Sequence, residues 1–157
     1  MFQELFNIHN ILSFQLVNNL QTGSLLQDYN PEYNYFKTDN IKNPDFKIYV
    51  GRYNPDIANV PLYDERYYIA KNIFYTTDGN KKCKWNILIK DIESNCPTLS
   101  INGKVNGFRK LVTYSVLKNL YVRPLISQQL VKKNATLIHS SAVSINNKGY
   151  LFAGRPG

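Results

Sequence analysis

Acidic residues are missing from the last third of this chain. All eleven Asp and Glu lie in residues 1–93, where ten Lys and Arg leave a net charge of −1; residues 94–157 carry nine Lys and Arg and a net of +9. The basic residues of that segment are scattered: Lys104, Arg109, Lys110, Lys118, Arg123, Lys132, Lys133, Lys148 and Arg155. They form no run, and aromatic residues do not interleave with them in a base-stacking pattern, which argues against a nucleic-acid partner. Cysteine is equally scarce. Cys83 and Cys96 are the only two, and their spacing fits no zinc or redox motif, so two reduced thiols are expected. No apolar run approaches the roughly 18 residues of a membrane span. The amino terminus, Met1 to Phe6, lacks the basic region and small-residue cleavage site of a secretory leader. A cytoplasmic protein without a membrane partner is the expectation, and the sequon Asn134-Ala135-Thr136 is then incidental.

What is present is enough apolar residue, 43% of 157, for a real core. From Phe2 to Leu20 the residues Leu5, Ile8, Ile11, Leu12, Leu16 and Leu20 favour helical spacing, with strand–turn–strand as the alternative. Residues 21–45, rich in Asn, Asp, Tyr and Pro, read as irregular. Phe46 to Val50 alternates and is closed by Gly51; residues 52–66 read as loop. Tyr67 to Thr76, a turn at Asp78-Gly79-Asn80, and Lys84 to Ile89 form a hairpin pattern, and Thr98 to Ile101 adds a short strand. A small antiparallel sheet is thus expected over residues 46–102.

After Gly107 the period changes. Leu111, Tyr114, Leu117, Leu120 and Tyr121 predict an amphipathic helix. Pro124 disfavours helical geometry at Arg123 but suits the first turn of a second helix. That helix carries Leu125, Ile126, Leu130 and Val131, with Lys132-Lys133 toward its carboxyl end. Ala135 to Ile145 reads as a strand, Asn146-Asn147-Lys148-Gly149 as a turn, and Tyr150 to Ala153 as a short strand of the buried kind. That strand runs directly into Gly154-Arg155-Pro156-Gly157.

A phosphate-binding loop has the form G-x-x-x-x-G-K-[ST] after a buried strand, because glycines let backbone N–H groups turn inward around phosphate. Gly154 fits its first position, and the sequence ends three residues later, before the lysine and hydroxyl residue. The strand Leu137-Ile138-His139-Ser140-Ser141-Ala142-Val143, the Asn-Asn-Lys-Gly turn and Tyr-Leu-Phe-Ala-Gly resemble the approach to the catalytic core of the HPr kinase/phosphorylase family. That family has a phosphoenolpyruvate-carboxykinase-like fold. The resemblance covers roughly residues 108–157. It implies an α+β fold: a β-rich amino-terminal domain over residues 1–106, then two helices and the first strands of an incomplete P-loop kinase core over 107–157. It implies an ATP-dependent kinase acting on a serine of a protein or peptide, with ATP and Mg2+ as cofactors of the complete protein. Neither is expected to bind tightly to this chain, which is not expected to be catalytically competent as it stands.

On the same resemblance Gly154, Arg155 and Gly157 are the candidate nucleotide-binding residues, and His139 matches a strand histidine in a supporting role beside the nucleotide. The other reading of His139 is a hydrogen-bonded histidine on a packed strand. No metal ligand is assigned. Pro156, without an N–H, shapes the loop instead of donating to phosphate. Ser140 and Ser141 have no base–acid pair in view and read as structural, and His9 receives no role. Two other functions stay open: a stand-alone, non-catalytic protein- or peptide-binding module, and a basic nucleic-acid-binding domain.

Overall fold

The protein is described by a computed structural model covering residues 2–19, 33–80, 83–105, 121–138 and 140–153. Its first element overturns the helical spacing of the amino terminus. Strands β1 (Phe2–Ile8) and β2 (Leu12–Asn18) form an antiparallel hairpin in which Phe6 faces Phe14. The turn is made possible by His9 and Asn10, with φ of 51° and 59°, and closed by Ile11 N–H donating to Ile8 O at 2.9 Å. The Asn7 side chain braces it, accepting from Asn10 N at 2.9 Å and donating to Asn10 Oδ1 at 2.8 Å. Asparagine tolerates left-handed backbone, so Asn10 is suited to this turn. The helical stripe omitted Phe6 and Phe14, whose two-residue period with Leu12 and Leu16 places all four in the core.

The remaining strands are β3 (Lys37–Thr38), β4 (Phe46–Val50), β5 (Leu62–Tyr63), β6 (Tyr67–Ala70), β7 (Ile73–Asn80), β8 (Cys83–Lys90) and β9 (Thr98–Val105). With the first two they build one nine-stranded sheet in the order β3-β1-β2-β4-β9-β8-β7-β6-β5. The expected antiparallel sheet over 46–102 is therefore larger and mixed. β4 lies parallel to β2 on one side and to β9 on the other, whereas β9 to β5 is an antiparallel meander. β7 continues through Asp78-Gly79-Asn80, where a turn was expected. At the end of β4, Gly51 adopts φ 153°, its N–H donates to Ile101 O at 2.9 Å, and a Cβ there would lie 2.9 Å from the Asn19 Cβ. Only glycine fits that close passage of two parallel strand ends.

One face of the sheet makes the core. Phe6, Phe14 and Phe46, in register across β1, β2 and β4, stack with ring centroids 4.7 and 4.9 Å apart. Ile48, Val50, Leu99, Ile101 and Ile87 extend the face across β4, β9 and β8. Helix α1 (Arg123–Lys132) covers it with Leu125, Ile126 and Leu130, preceded by buried Val122. Pro124 sits in the first turn, where its missing N–H has no helical partner to lose. Arg123 is nonetheless helical and Val122 has helical dihedrals, because the bias on the residue before proline yields to this packing. Asn134, with φ 55°, ends the helix; Asn134 N–H donates to Val131 O, and Ala135 N–H to Leu130 O.

The expected α+β fold, two helices and a P-loop core, is not what the chain forms. The described residues are dominated by strands: a nine-stranded mixed sheet with one α-helix. Of the first expected helix, residues 106–120 lie outside the described residues. The second expected helix is α1, but the strands expected to open a P-loop core pair only with each other as a two-stranded sheet, and the amino-terminal stretch adds two strands to the large sheet. No helix among the described residues is long and apolar enough to cross a membrane.

Candidate functional site

The segment that carries the functional reading forms a second, two-stranded sheet of β10 (Ser140–Ile145) and β11 (Lys148–Ala153). Asn146 and Asn147, with φ of 52° and 59°, make a two-residue turn of the type whose twist matches paired strands. Six residue pairs follow, from Ile145 opposite Lys148 to Ser140 opposite Ala153. The expected turn at 146–149 is thus shorter, and of the expected strand from Ala135 to Ile145, residues 135–138 are not in a strand while Ser140–Ile145 are.

The register gives the hairpin two unlike faces. Val143, Ile145, Tyr150 and Phe152 share one face with Ser141 and Lys148. Ala142, Leu151 and Ala153 share the other with Ser140 and Ser144. The Tyr150–Ala153 strand was expected to be buried. Instead every described residue of the hairpin is exposed, and its large apolar side chains are 46–65% accessible. An apolar run marks a strand able to be buried on both sides; covering it requires neighbouring elements that these residues do not supply.

His139, Gly154, Arg155 and Gly157, the candidate site residues, lie outside the described residues. The described part therefore brings β11 to the residue before Gly154 and no further. Ser140 and Ser141 point to opposite faces of the hairpin by their register, and no group of three or more His, Cys, Asp or Glu suited to a metal occurs among the described residues.

Elsewhere the structure assembles polar groups that sequence spacing did not reveal. Asp45 Oδ2 accepts from Ser13 N at 2.7 Å and Ser13 Oγ at 3.1 Å, while Oδ1 lies 2.7 Å from Lys133 Nζ. This knot ties the starts of β2 and β4 to the end of α1; every acceptor in it is engaged, which marks it as structural. Cys96 is half-buried, and burial pushes its thiol pKa up, the reverse of what a nucleophile needs. An apolar groove lined by Phe74, Ile89, Ile92, Tyr121, Pro124 and Leu125 opens beside the helix start, with Gln128 Nε2 donating to Ile92 O at 3.3 Å. Tyr53 carries a buried hydroxyl without a hydrogen-bond partner. None of these places joins an acid, a base and a nucleophile. The chain was compared with protein-family models, with curated proteins and with solved structures, and none of the three gives a match.

Proposed function

We propose that this chain is the amino-terminal part of an ATP-dependent protein or peptide serine kinase of the HPr kinase-like group, in which β10–β11 is the platform for the phosphate loop. The supporting observation is the hairpin itself. A tight Asn-Asn turn pairs β10 with β11, an apolar strand that ends at the residue before Gly154, and the apolar residues of that strand stand exposed. A two-stranded hairpin is marginal alone in water and gains stability when further elements cover its apolar face.

The residues present do not themselves fit ATP and Mg2+. Residues 1–157 contain no Gly-Lys-Ser/Thr after Gly154, and the described residues offer no carboxylate cluster for magnesium. Phosphoryl transfer rests on positioning and charge stabilisation, so no transfer step is assigned to this chain. Its role in the reading is mechanical: β11 ends at Ala153, the residue before Gly154.

Titration of Mg-ATP into residues 1–157 and into a chain extended through an intact loop tests the proposal. The short chain is expected to give no saturable heat. The extended chain is expected to bind, and to lose binding when the loop lysine is replaced by alanine. An extended chain that continues without Gly-Lys-Ser/Thr, or that carries it and still ignores nucleotide, overturns the proposal.

A further inference from the structure

One face of the β10–β11 hairpin joins open aromatic rings to a positive charge. Along the sequence the aromatic and basic residues of the last third do not interleave, but strand alternation places Lys148, Tyr150 and Phe152 on the same side of β11. Opposite them on β10 stand Ile145, Val143 and Ser141 in turn. All six are exposed, and Tyr150 and Phe152 keep 47% and 62% of their surface open to solvent. The other face, with Ala142, Leu151 and Ala153, has no aromatic ring and is left to the elements that cover the hairpin in the kinase reading.

Every nucleic-acid base has a π face that an exposed ring can stack on, whatever its sequence. Tyr150 and Phe152 are two residues apart on β11, a distance of about 7 Å. Bases stacked in a duplex strand follow one another at about 3.4 Å. Rings at the wider distance suit bases drawn apart in a single strand, not the closed stack of a duplex. Charge agrees with this. Neither strand carries an Asp or Glu, nor does any residue from 94 to 157, where the net is +9. A phosphate at the hairpin thus meets Lys148 and no carboxylate of that segment. Ser141, opposite Phe152, offers a hydroxyl to a base edge. We propose that this face binds a short segment of single-stranded RNA or DNA, successive bases stacking on Tyr150 and Phe152 and a phosphate pairing with Lys148.

Two other occupants fit less well. A lipid surface entered tip first would take up Asn146, Asn147 and Lys148 before any ring, desolvating amides and a charge. A second copy would bring together two segments of +9 with no acid in either to offset them. The proposal uses the hairpin but neither the phosphate loop nor a nucleoside triphosphate. Its test is made on residues 1–157, so its failure leaves the kinase reading standing, and the reverse holds.

Fluorescence anisotropy tests it with labelled oligouridylate and oligothymidylate of about ten nucleotides and a duplex of the same length. At least one single strand is expected to bind at low salt, and the duplex at least about tenfold more weakly. Tyr150→Ala and Phe152→Ala are each expected to lose about fivefold or more, and Tyr150→Phe, which keeps the ring, less than about twofold. Lys148→Gln lowers the steepness of log affinity against log salt by about 0.7. Leu151→Ala removes an apolar side chain from the opposite face and loses less than about twofold. Phe152→Leu keeps an apolar strand residue without a π face, and it repeats the measurement if an alanine variant loses strand signal by circular dichroism. Four results would each overturn the proposal: no binding of either single strand, a duplex bound as tightly, ring losses matched by Leu151→Ala, or attachment to phosphatidylserine vesicles or to a second copy in place of the oligonucleotide.

Discussion

Tyr53 holds its buried hydroxyl where no described residue bonds it, and Trp85 Nε1 and Gln129 Nε2 share that condition. Burial, then the neighbouring Tyr75, pushes the Tyr53 pKa well above its ordinary 10.0; burial, then Tyr68, also raises that of Tyr75. A folded-state pKa above the unfolded one means that the folded chain keeps a proton the unfolded chain gives up. The stability that depends on the neutral phenols is therefore fully present below pH 10 and is lost as pH climbs above it. The urea midpoint is expected to stay level from neutral to mildly alkaline pH and to fall beyond that, and Tyr53→Phe is expected to flatten the fall. At neutral pH the same substitution removes an unpaired buried hydroxyl and leaves stability unchanged or higher by up to about 1 kcal/mol. A loss of more than about 1 kcal/mol there would show that the hydroxyl has a partner. Nothing in the local sequence marks Tyr53. It lies in the 52–66 stretch that reads as loop, and burial of its hydroxyl depends on what the fold lays around it. Gly51 is the opposite case: a glycine closing an alternating strand is visible in the sequence, although the Asn19 Cβ that excludes any other residue is not.

Helix α1 shows how far an element can be foreseen. Pro124 and the spacing of Leu125, Ile126 and Leu130 located it, and all three apolar residues are buried. Val131, read into the same stripe, is 67% exposed, because the helix lies on the sheet along a narrower line than the stripe suggests. Leu125→Ala should thus cost about 2–4 kcal/mol through lost burial and a residual cavity. Val131→Ala should change stability by less than about 0.5 kcal/mol. Urea denaturation of both variants checks the pair, and comparable losses would place Val131 in the core. β1 and β2 were less legible. Ile8, Leu12 and Leu16 satisfy helical and extended spacing alike, and the His9-Asn10 turn decides between them. β11 was read correctly as a strand and wrongly as buried, since an apolar sequence states what a strand can be packed against and not whether a neighbour is there.

At the scale of the whole molecule the sheet has a firm centre and guarded margins. Its edge strands β3 and β5 are two residues long, which leaves little unpaired backbone for another chain to extend. β4 and β9 lie inside the sheet beneath α1, whereas β10 and β11 pair only with each other. Native-state hydrogen exchange should therefore show β4 and β9 amides opening only with global unfolding, and β10–β11 amides exchanging orders of magnitude faster. Uniform protection across both sheets would mean that the hairpin is held by the rest of the molecule. Local chemistry was written in the sequence by itself: the strands at Phe46–Val50, Lys84–Ile89 and Thr98–Ile101, a turn at Asn146-Asn147, the helix at Pro124 and the charge imbalance. These depend on residues within a turn or a strand of one another. Tertiary structure alone decided that β4 lies between two parallel neighbours, that Asp45 joins Ser13 to Lys133, and that Lys47, Lys84, Lys90 and Lys104 fall on one face of the large sheet. Parallel pairing and shared faces bring together residues from distant parts of the chain, and no short-range period records which distant strand will be the neighbour.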